Sequence, residues 1–293
     1  MGIKFSTALM AVFLFSGAML WWFAPVDSWW QPFGIAFGVI GSGLVFALGP
    51  QADWWFALRN PPQLTVGEVR MLTAEIEYFR RLAISEKTRF GTRLKMVLMD
   101  KQYQLAATDD KVPAELTMLT AAAIVQFTFG LERDYWIDAL EKIILYPLRF
   151  PTLERTTWHA CEAHPDGCIL LSAEALKLGS RDTAAYYNVA LHAVAEFWAL
   201  KHPHETAAFE ATLDGSFTEQ LLSARLFTDG FWVGITGIDT PQRFPMAVEI
   251  FFAQPARMRA AMPDTFERLC TLLGQNPLGE TYPRVGVTLT TNA

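Results

Sequence analysis

The sequence predicts an α+β fold that is predominantly α-helical, with a small sheet, preceded by a two-helix transmembrane hairpin. Three observations carry this prediction. Two uncharged stretches of about 20 residues lie back to back near the N-terminus. Several later runs repeat apolar residues every three or four positions, which is typical of amphipathic helices. Two short runs, Lys142–Tyr146 and Cys168–Ser172, are rich in Ile and Leu and end at turn or capping residues, as strands do.

The two uncharged stretches predict membrane helices over about residues 5–25 and 30–50. No charge occurs between Lys4 and Asp27, or between Asp27 and Asp53, and each stretch is long enough to span a bilayer. Tryptophan pairs flank the stretches, where amphipathic indoles collect at membrane interfaces. Because the turn between them is short, the helices return to the same side of the membrane, and we expect their glycines to pack within the hairpin.

The first stretch could instead be a cleaved signal peptide. Trp21, Trp22 and Phe23 stand where small residues would mark a cleavage site, which favours a retained helix. Lys4 precedes the first helix and Arg59 follows the second, so the positive-inside rule predicts that both ends face the cytoplasm. The expected partner is therefore the lipid bilayer of the cytoplasmic (inner) membrane, with the soluble part on the cytoplasmic side.

Charge and motif content narrow the possible functions. The formal net charge is −6 and no basic stripe occurs, so nucleic acid is not expected as a partner. The three cysteines form no CxxC zinc pattern, and no G-x-S-x-G motif marks a serine hydrolase. Cys161 and Cys168 could form a disulfide only in an oxidising compartment.

After the stiff Pro61-Pro62 break, the composition becomes that of an ordinary soluble domain. Its first helices are predicted over Val66–Leu82 and from a cap at Ser85 to about Lys101, and a third over Glu115–Phe129. Further helices are predicted over Tyr187–Lys201, Phe217–Phe227, Pro241–Phe252 and Asp264–Leu273. The predicted organisation is a hairpin over 1–55, a soluble domain over 63–278 and a tail over 279–293.

Several short motifs follow one another in an order that is typical of a known family. They are Met99–Tyr103, Ile144–Pro147, Tyr187–His192 and Val248–Phe252. In their order and spacing the chain resembles the Mlc titration factor A family of bacterial glucose-regulated zinc metallopeptidases, over about residues 65–278. The resemblance implies a zincin-like metallopeptidase domain, and with it a bacterial inner membrane for the hairpin.

The chemistry of that family rests on an H-E-x-x-H motif, whose histidines hold zinc and whose glutamate deprotonates the metal-bound water. The matching segment here reads H-A-V-A-E from His192 to Glu196. The resemblance implies that His192 keeps the first ligand position, whereas Ala193 stands at the general-base position and Glu196 at the second histidine position. Gln242 stands at the third-ligand position, where an uncharged amide binds zinc poorly compared with a carboxylate.

Two functions of different classes remain open. The first is a catalytically degenerate member of the family, without a cofactor, that acts as a regulatory module or binds a protein or peptide in the remnant cleft. The second is a divergent active metallopeptidase, in which zinc is held by a rebuilt site of His192, Glu196 and Glu249. The sequence favours the first, because Ala193 has no group that can accept a proton.

The remaining histidines are interpreted as structural. His202 and His204 bracket Pro203, which is typical of a solvated helix end, where histidine also suits the helix dipole. His159 and His164 have irregular spacing around the cysteines, which favours a surface loop.

Overall fold

The computed structural model describes residues 4–25, 28–131, 137–213, 217, 231–240 and 242–279. The chain divides into two compact units, Met1–Pro62 and Gln63–Ala293. The predicted turn residue Asp27 and most of the predicted helix Phe217–Phe227 lie outside the described residues.

The first unit contains three helices, α1 (Phe5–Phe23), α2 (Trp30–Ala47) and α3 (Gly49–Arg59). Helices α1 and α2 are long and apolar enough to cross a membrane. The predicted second helix is therefore shorter than expected: it ends at Ala47, and α3, which the sequence did not predict, begins two residues later.

Glycines bring the first two helices into direct backbone contact. A Cβ atom on Gly17 would lie 2.6 Å from the carbonyl oxygen of Gly34 and 2.7 Å from the Cα atom of Gly38. This confirms the expectation that the glycines pack within the hairpin. Asp53 of α3 closes the unit, because its carboxylate accepts hydrogen bonds from the backbone N–H (2.7 Å) and hydroxyl (2.9 Å) of Ser6.

The second unit contains one mixed four-stranded sheet. Its strands are β1 (Gln102–Leu105), β2 (Lys142–Tyr146), β3 (Cys161–His164) and β4 (Cys168–Ser172). The spatial order is β1-β2-β4-β3, in which β3 is an edge strand antiparallel to β4 and the other pairs are parallel. The structure confirms both predicted strands and adds β1 and β3.

The described part of the second unit also contains a set of helices. They are α4 (Val66–Glu75), α5 (Glu77–Arg81), α6 (Ile84–Asp100), α7 (Ala114–Thr128), α8 (Ala173–Arg181), α9 (Val189–Lys201), α10 (Pro203–Glu210), α11 (Phe231–Thr236), α12 (Arg243–Ala253), α13 (Pro255–Ala261) and α14 (Pro263–Leu273). The predicted α+β, predominantly helical fold is confirmed.

Several helix boundaries differ from the prediction by one or two residues, and one predicted helix is broken. The single helix predicted over Val66–Leu82 breaks at Ile76, whose backbone is extended (φ −122°, ψ 103°). Ile76, Tyr78 and Phe79 are all buried at this break. Helix α6 is capped by Ala83 and not by Ser85, which lies in its first turn.

Helix α9 forms the centre of the second unit. It packs against β3 and β4 on one side and against α7 and α12 on the other. Every residue from Val189 to Trp198 is buried. The His192 helix therefore packs against the Glu249 helix, with Phe251 fully buried and Phe252 partly buried in the shared core.

Candidate functional site

Helix α9 holds His192 and Glu196 in the interior of the second unit. The helix begins at Asn188, whose side-chain oxygen accepts a hydrogen bond from the backbone N–H of Leu191 at 3.1 Å. Residues four positions apart lie on one helix face, so His192 and Glu196 are neighbours. Both side chains are buried, in a helix that is otherwise almost entirely apolar.

Hydrogen bonds engage both ring nitrogens of His192. Nδ1 lies 2.7 Å from the hydroxyl of Tyr187, and Nε2 lies 2.7 Å from Oε1 of Gln242. Because an amide oxygen only accepts, Nε2 carries the proton and donates it, while Nδ1 accepts from the tyrosine hydroxyl. Burial lowers the pKa of His192, which fits this neutral tautomer.

The same glutamine amide connects His192 to Glu196. Nε2 of Gln242 donates to Oε1 of Glu196 at 2.5 Å. Nη2 of Arg155 donates to the same carboxylate oxygen at 2.8 Å. Oε2 of Glu196 is buried and has no hydrogen-bond partner among the described residues. The structure therefore brings three predicted site residues together and adds a guanidinium.

Arg155 extends the network toward the edge strand β3. Its Nη1 donates to the backbone oxygen of Thr236 at 2.7 Å, and its Nε lies 3.4 Å from the Glu162 carboxylate. Nε2 of His159 lies 3.0 Å from the other oxygen of Glu162. Gly237 (φ 77°) allows this packing, because a Cβ atom there would lie 2.9 Å from His159 Nδ1.

The pKa values of Glu162 and Arg155 shift so that both side chains stay charged. Burial alone would raise the pKa of Glu162, but hydrogen bonds from His159 and Thr152 and the charge of Arg155 outweigh it and lower that pKa. Burial would likewise lower the pKa of Arg155, but the Glu196 carboxylate outweighs it and raises that pKa. A charged guanidinium therefore lies between two carboxylates.

Two other predicted site residues lie apart from this chain of hydrogen bonds. Glu249 is fully buried, and its Oε1 accepts a hydrogen bond from the backbone N–H of Asn188 at 3.1 Å, at the start of α9. Ala193 is fully buried within the hydrophobic core. Glu249 thus anchors the N-terminus of the helix that carries His192.

The prediction that His159 and Cys161 lie in a surface loop is wrong. Both side chains are fully buried, because Cys161 begins β3 and His159 pairs with Phe150 in a short β-bridge. Burial raises the pKa of the Cys161 thiol well above its ordinary value, so this cysteine is not a thiolate nucleophile. His202 ends α9, as expected, and stacks on Trp198.

Sequence reasoning missed Arg155, Glu162 and Tyr187 as members of the site. Tyr187 lies within a motif that carries the resemblance, directly before the cap of α9, and this position is the signal that could have found it. Arg155 and Glu162 lie in a segment whose local sequence indicated a loop. Glu162 lies on β3, which pairs with β4 and packs against α9, and Arg155 reaches α9 through its bond to Glu196.

Zinc does not fit the arrangement of these side chains. A metal ligand needs a free lone pair, but Nε2 of His192 is protonated toward Gln242, and Arg155 places a positive charge against Glu196. Glu154, Glu162 and His164 form the cluster of possible metal ligands among the described residues. Their ligand atoms lie within 4.8 Å of one another. Of these, Glu154 is exposed and Glu162 is paired with Arg155.

A buried His and Glu thus lie one helical turn apart on the central helix α9, which packs against the antiparallel edge strand β3. Residues 57–197 match the model of the glucose-regulated metallo-peptidase M90 family. The chain therefore carries an M90 metallopeptidase domain, which confirms the resemblance found in the sequence. The matched range includes His192 and Glu196 and ends before α12. A comparison with curated proteins finds no match to this chain.

Proposed function

We propose that this chain is a membrane-anchored protein of the M90 family that has lost peptidase chemistry and acts as a regulatory or peptide-binding module. The observation that carries the proposal is the hydrogen-bonded chain from Tyr187 through His192, Gln242 and Glu196 to Arg155. The donors run in one direction from Tyr187 to the Glu196 carboxylate, which also accepts a hydrogen bond from Arg155, so each of these side chains has a hydrogen-bond partner within the protein.

Charge supports this proposal independently of hydrogen bonding. Glu196 is the only anionic side chain among His192, Glu196 and Gln242, and the guanidinium of Arg155 lies 2.8 Å from it. A zinc ion bound by His192 and Glu196 would therefore lie close to a positive charge. Repulsion between like charges is strong in a buried site, where water screens little. Ala193 also supplies no general base, and loss of such help typically costs about a hundredfold or more in rate.

The hairpin supports attachment to a membrane. Helices α1 and α2 have the length and apolar character of membrane spans, and Lys4 and Arg59 flank them. We propose that the hairpin anchors the protein in the bacterial inner membrane with the M90 domain in the cytoplasm. A protein or peptide bound in the remnant cleft would then be captured by a tethered domain.

Metal content of the purified full-length chain tests the loss of catalysis. We expect less than stoichiometric zinc by elemental analysis, and no hydrolysis of generic peptides with or without added zinc. His192→Ala is the matched control, because it removes the remaining family ligand and should change neither result. Stoichiometric zinc, together with chelator-sensitive hydrolysis that His192→Ala abolishes, would overturn the proposal.

One observation favours the alternative of a rebuilt metal site. Oε2 of Glu196 is buried without a hydrogen-bond partner among the described residues, and an orphaned carboxylate oxygen can serve as a metal ligand. A metal there would have to displace Gln242 from His192 and recruit Glu249 from Asn188. A zinc-dependent increase of the melting temperature that Glu196→Gln removes would support this alternative.

A further inference from the structure

Positive charge is concentrated in the part of the chain that directly follows the hairpin. Residues 59–95 contain eight Lys or Arg side chains and four Glu side chains, a net charge of +4. The whole chain carries −6, so all its other residues together carry −10. A local excess of one charge attracts partners of the opposite charge. The segment next to the hairpin therefore favours an anionic partner.

One face of helix α6 lies where the chain enters the second unit. Ile84, Thr88, Gly91 and Lys95 recur every three or four positions, so they form one stripe along this helix. Leu64, the second residue of the unit, packs so closely on the stripe that a Cβ atom on Gly91 would lie 2.6 Å from its Cδ1 atom. Lys95 forms an ion pair with a glutamate in the first turn of α4. The entering chain thus covers the C-terminal half of the stripe.

The N-terminal half of the stripe is open among the described residues. Ile84 is 86% exposed, and Thr88, one turn later, is also exposed. Val66, which begins α4 two residues after Leu64, is 78% exposed. Single exposed apolar side chains are common on protein surfaces, so the charges around them decide what such a surface binds.

The basic side chains of this region exceed the carboxylates that could neutralise them. Arg70 and Arg80 are exposed and Lys87 is partly exposed, and none of the three forms an ion pair among the described residues. Three of the four glutamates of residues 59–95 are already paired: Glu68 with Lys95, Glu75 with Arg181 and Glu86 with Arg89. The fourth, Glu77, leaves an excess of two positive charges near Ile84 in the sequence.

We propose that the open half of this stripe rests on a bilayer that contains anionic lipid, with Ile84 at the lipid chains and Arg80 and Lys87 at the headgroups. The inference rests on the membrane anchoring proposed above. An anionic bilayer offers negative headgroups directly above an apolar layer, which matches an exposed isoleucine flanked by basic side chains. Nucleic acid would match the charge but would leave the isoleucine in water.

The short connection from the hairpin favours the bilayer over a partner that is free in solution. Residues 60–65 join α3 to α4, and an extended chain of that length spans at most about 25 Å. A short tether raises the effective concentration of the bilayer at the helices that follow it. Each basic side chain near an anionic surface then shifts the equilibrium about fivefold toward the bound state. A few weak contacts are therefore sufficient to hold this face on the membrane.

Hydrogen exchange of the full-length chain in nanodiscs tests the proposal. Discs of phosphatidylcholine alone are compared with discs that also contain phosphatidylglycerol, each holding one copy of the chain. We expect slower exchange in the peptide that covers residues 82–90 in the anionic discs, and high salt should remove the difference because it screens the charges. Exchange in α14 (Pro263–Leu273) should be the same in both lipids.

Surface variants separate the charges from the apolar contact. Arg80→Gln and Lys87→Gln should each lower the ratio of docked to undocked chains about fivefold in anionic discs. Arg268→Gln is their control, because it removes an exposed charge from α14 and should change nothing. Ile84→Asn should also reduce the protection of residues 82–90, whereas Leu153→Asn, at a leucine that is 102% exposed, should not.

Carbonate extraction of the same chain from liposomes separates this inference from the anchoring. A chain that resists extraction but exchanges equally in neutral and anionic discs overturns the docking of α6 and leaves the anchoring intact. Release of the chain by carbonate overturns both. Protection that appears only in discs with two copies of the chain would assign the stripe to a second copy and overturns the proposal, as does protection lost in Leu153→Asn and kept in Ile84→Asn.

Discussion

Replacing Arg155 by methionine tests whether the guanidinium holds the candidate site together. Methionine keeps much of the length of the side chain but removes its charge and its donors. The change leaves the buried carboxylates of Glu196 and Glu162 without the cation that lies between them. Removal of one partner of a buried ion pair destabilises a protein strongly, because an uncompensated charge stays in the interior.

The structure gives the magnitude in two ways. Arg155 donates a charge-assisted hydrogen bond to Glu196 at 2.8 Å and another to the backbone oxygen of Thr236 at 2.7 Å. At about 1.5–3 kcal/mol for each bond to a charged group, the loss is about 3–6 kcal/mol. Breaking a buried ion pair typically costs about 3–5 kcal/mol, so we expect a loss of about 4 kcal/mol.

The assay is urea unfolding of the full-length chain in micelles at pH 7, followed by near-ultraviolet circular dichroism. Arg181→Met is the matched control, because Arg181 also pairs with two carboxylates, those of Glu75 and Glu115. The side chain of Arg181 is 54% exposed, whereas that of Arg155 is 14% exposed. Exposed ion pairs contribute at most about 1 kcal/mol. The two arginine variants should therefore differ by about 3 kcal/mol.

A double variant isolates the charge. Glu196→Gln in the Arg155→Met background replaces an unpaired buried carboxylate by a neutral amide, so it should restore part of the lost stability. Equal destabilisation by Arg155→Met and Arg181→Met, or a double variant that is less stable than Arg155→Met alone, would refute the reasoning.

Three further predictions concern the same helices. The free energy of unfolding should fall as the pH is lowered from about 6.5 toward the depressed pKa of buried His192, by at most about 1.4 kcal/mol per pH unit, because the unfolded chain then binds a proton that the folded chain does not. Urea titrations across that pH range should show that His192→Gln removes this slope. The double variant Glu196→His with Gln242→Glu should raise the affinity of the chain for zinc in chelator competition. Adding Arg155→Met should raise that affinity further, because it removes the adjacent positive charge. An unchanged zinc affinity in these variants would contradict the prediction. Phe251→Ala should lower the free energy of unfolding by about 3–5 kcal/mol, and a melting temperature equal to the parent's would contradict its burial between α9 and α12.

The sheet illustrates what local sequence can predict. Strands β2 and β4 read as Ile- and Leu-rich runs, so their pattern alone predicted their bounds. Strand β3 reads Cys-Glu-Ala-His, and its first three residues are buried where it pairs with β4 and lies against α9. Its burial is a tertiary effect that no local propensity encodes.

The candidate site divides in the same way. His192 and Glu196 lie four residues apart on one helix, so their proximity follows from helical geometry. Gln242 was placed by the resemblance, and the structure joins it to both residues. Arg155 is 41 positions from Glu196 in the chain, and its segment carries no periodic signal that points to α9. Long-range pairs of this kind depend on the sheet topology, which the sequence did not define.

The residues at the motif positions complement one another physically. Gln242 serves both neighbours because an amide has an acceptor for His192 Nε2–H and a donor for the Glu196 carboxylate. A glutamate at position 242, as the resemblance implies for the family, would offer no donor and would place a second negative charge beside Glu196. Glu196 in turn needs a positive partner in the interior, which Arg155 supplies. We therefore infer that these residues form one interdependent polar arrangement, so that restoring a single ligand would disrupt hydrogen bonds before it could support a metal.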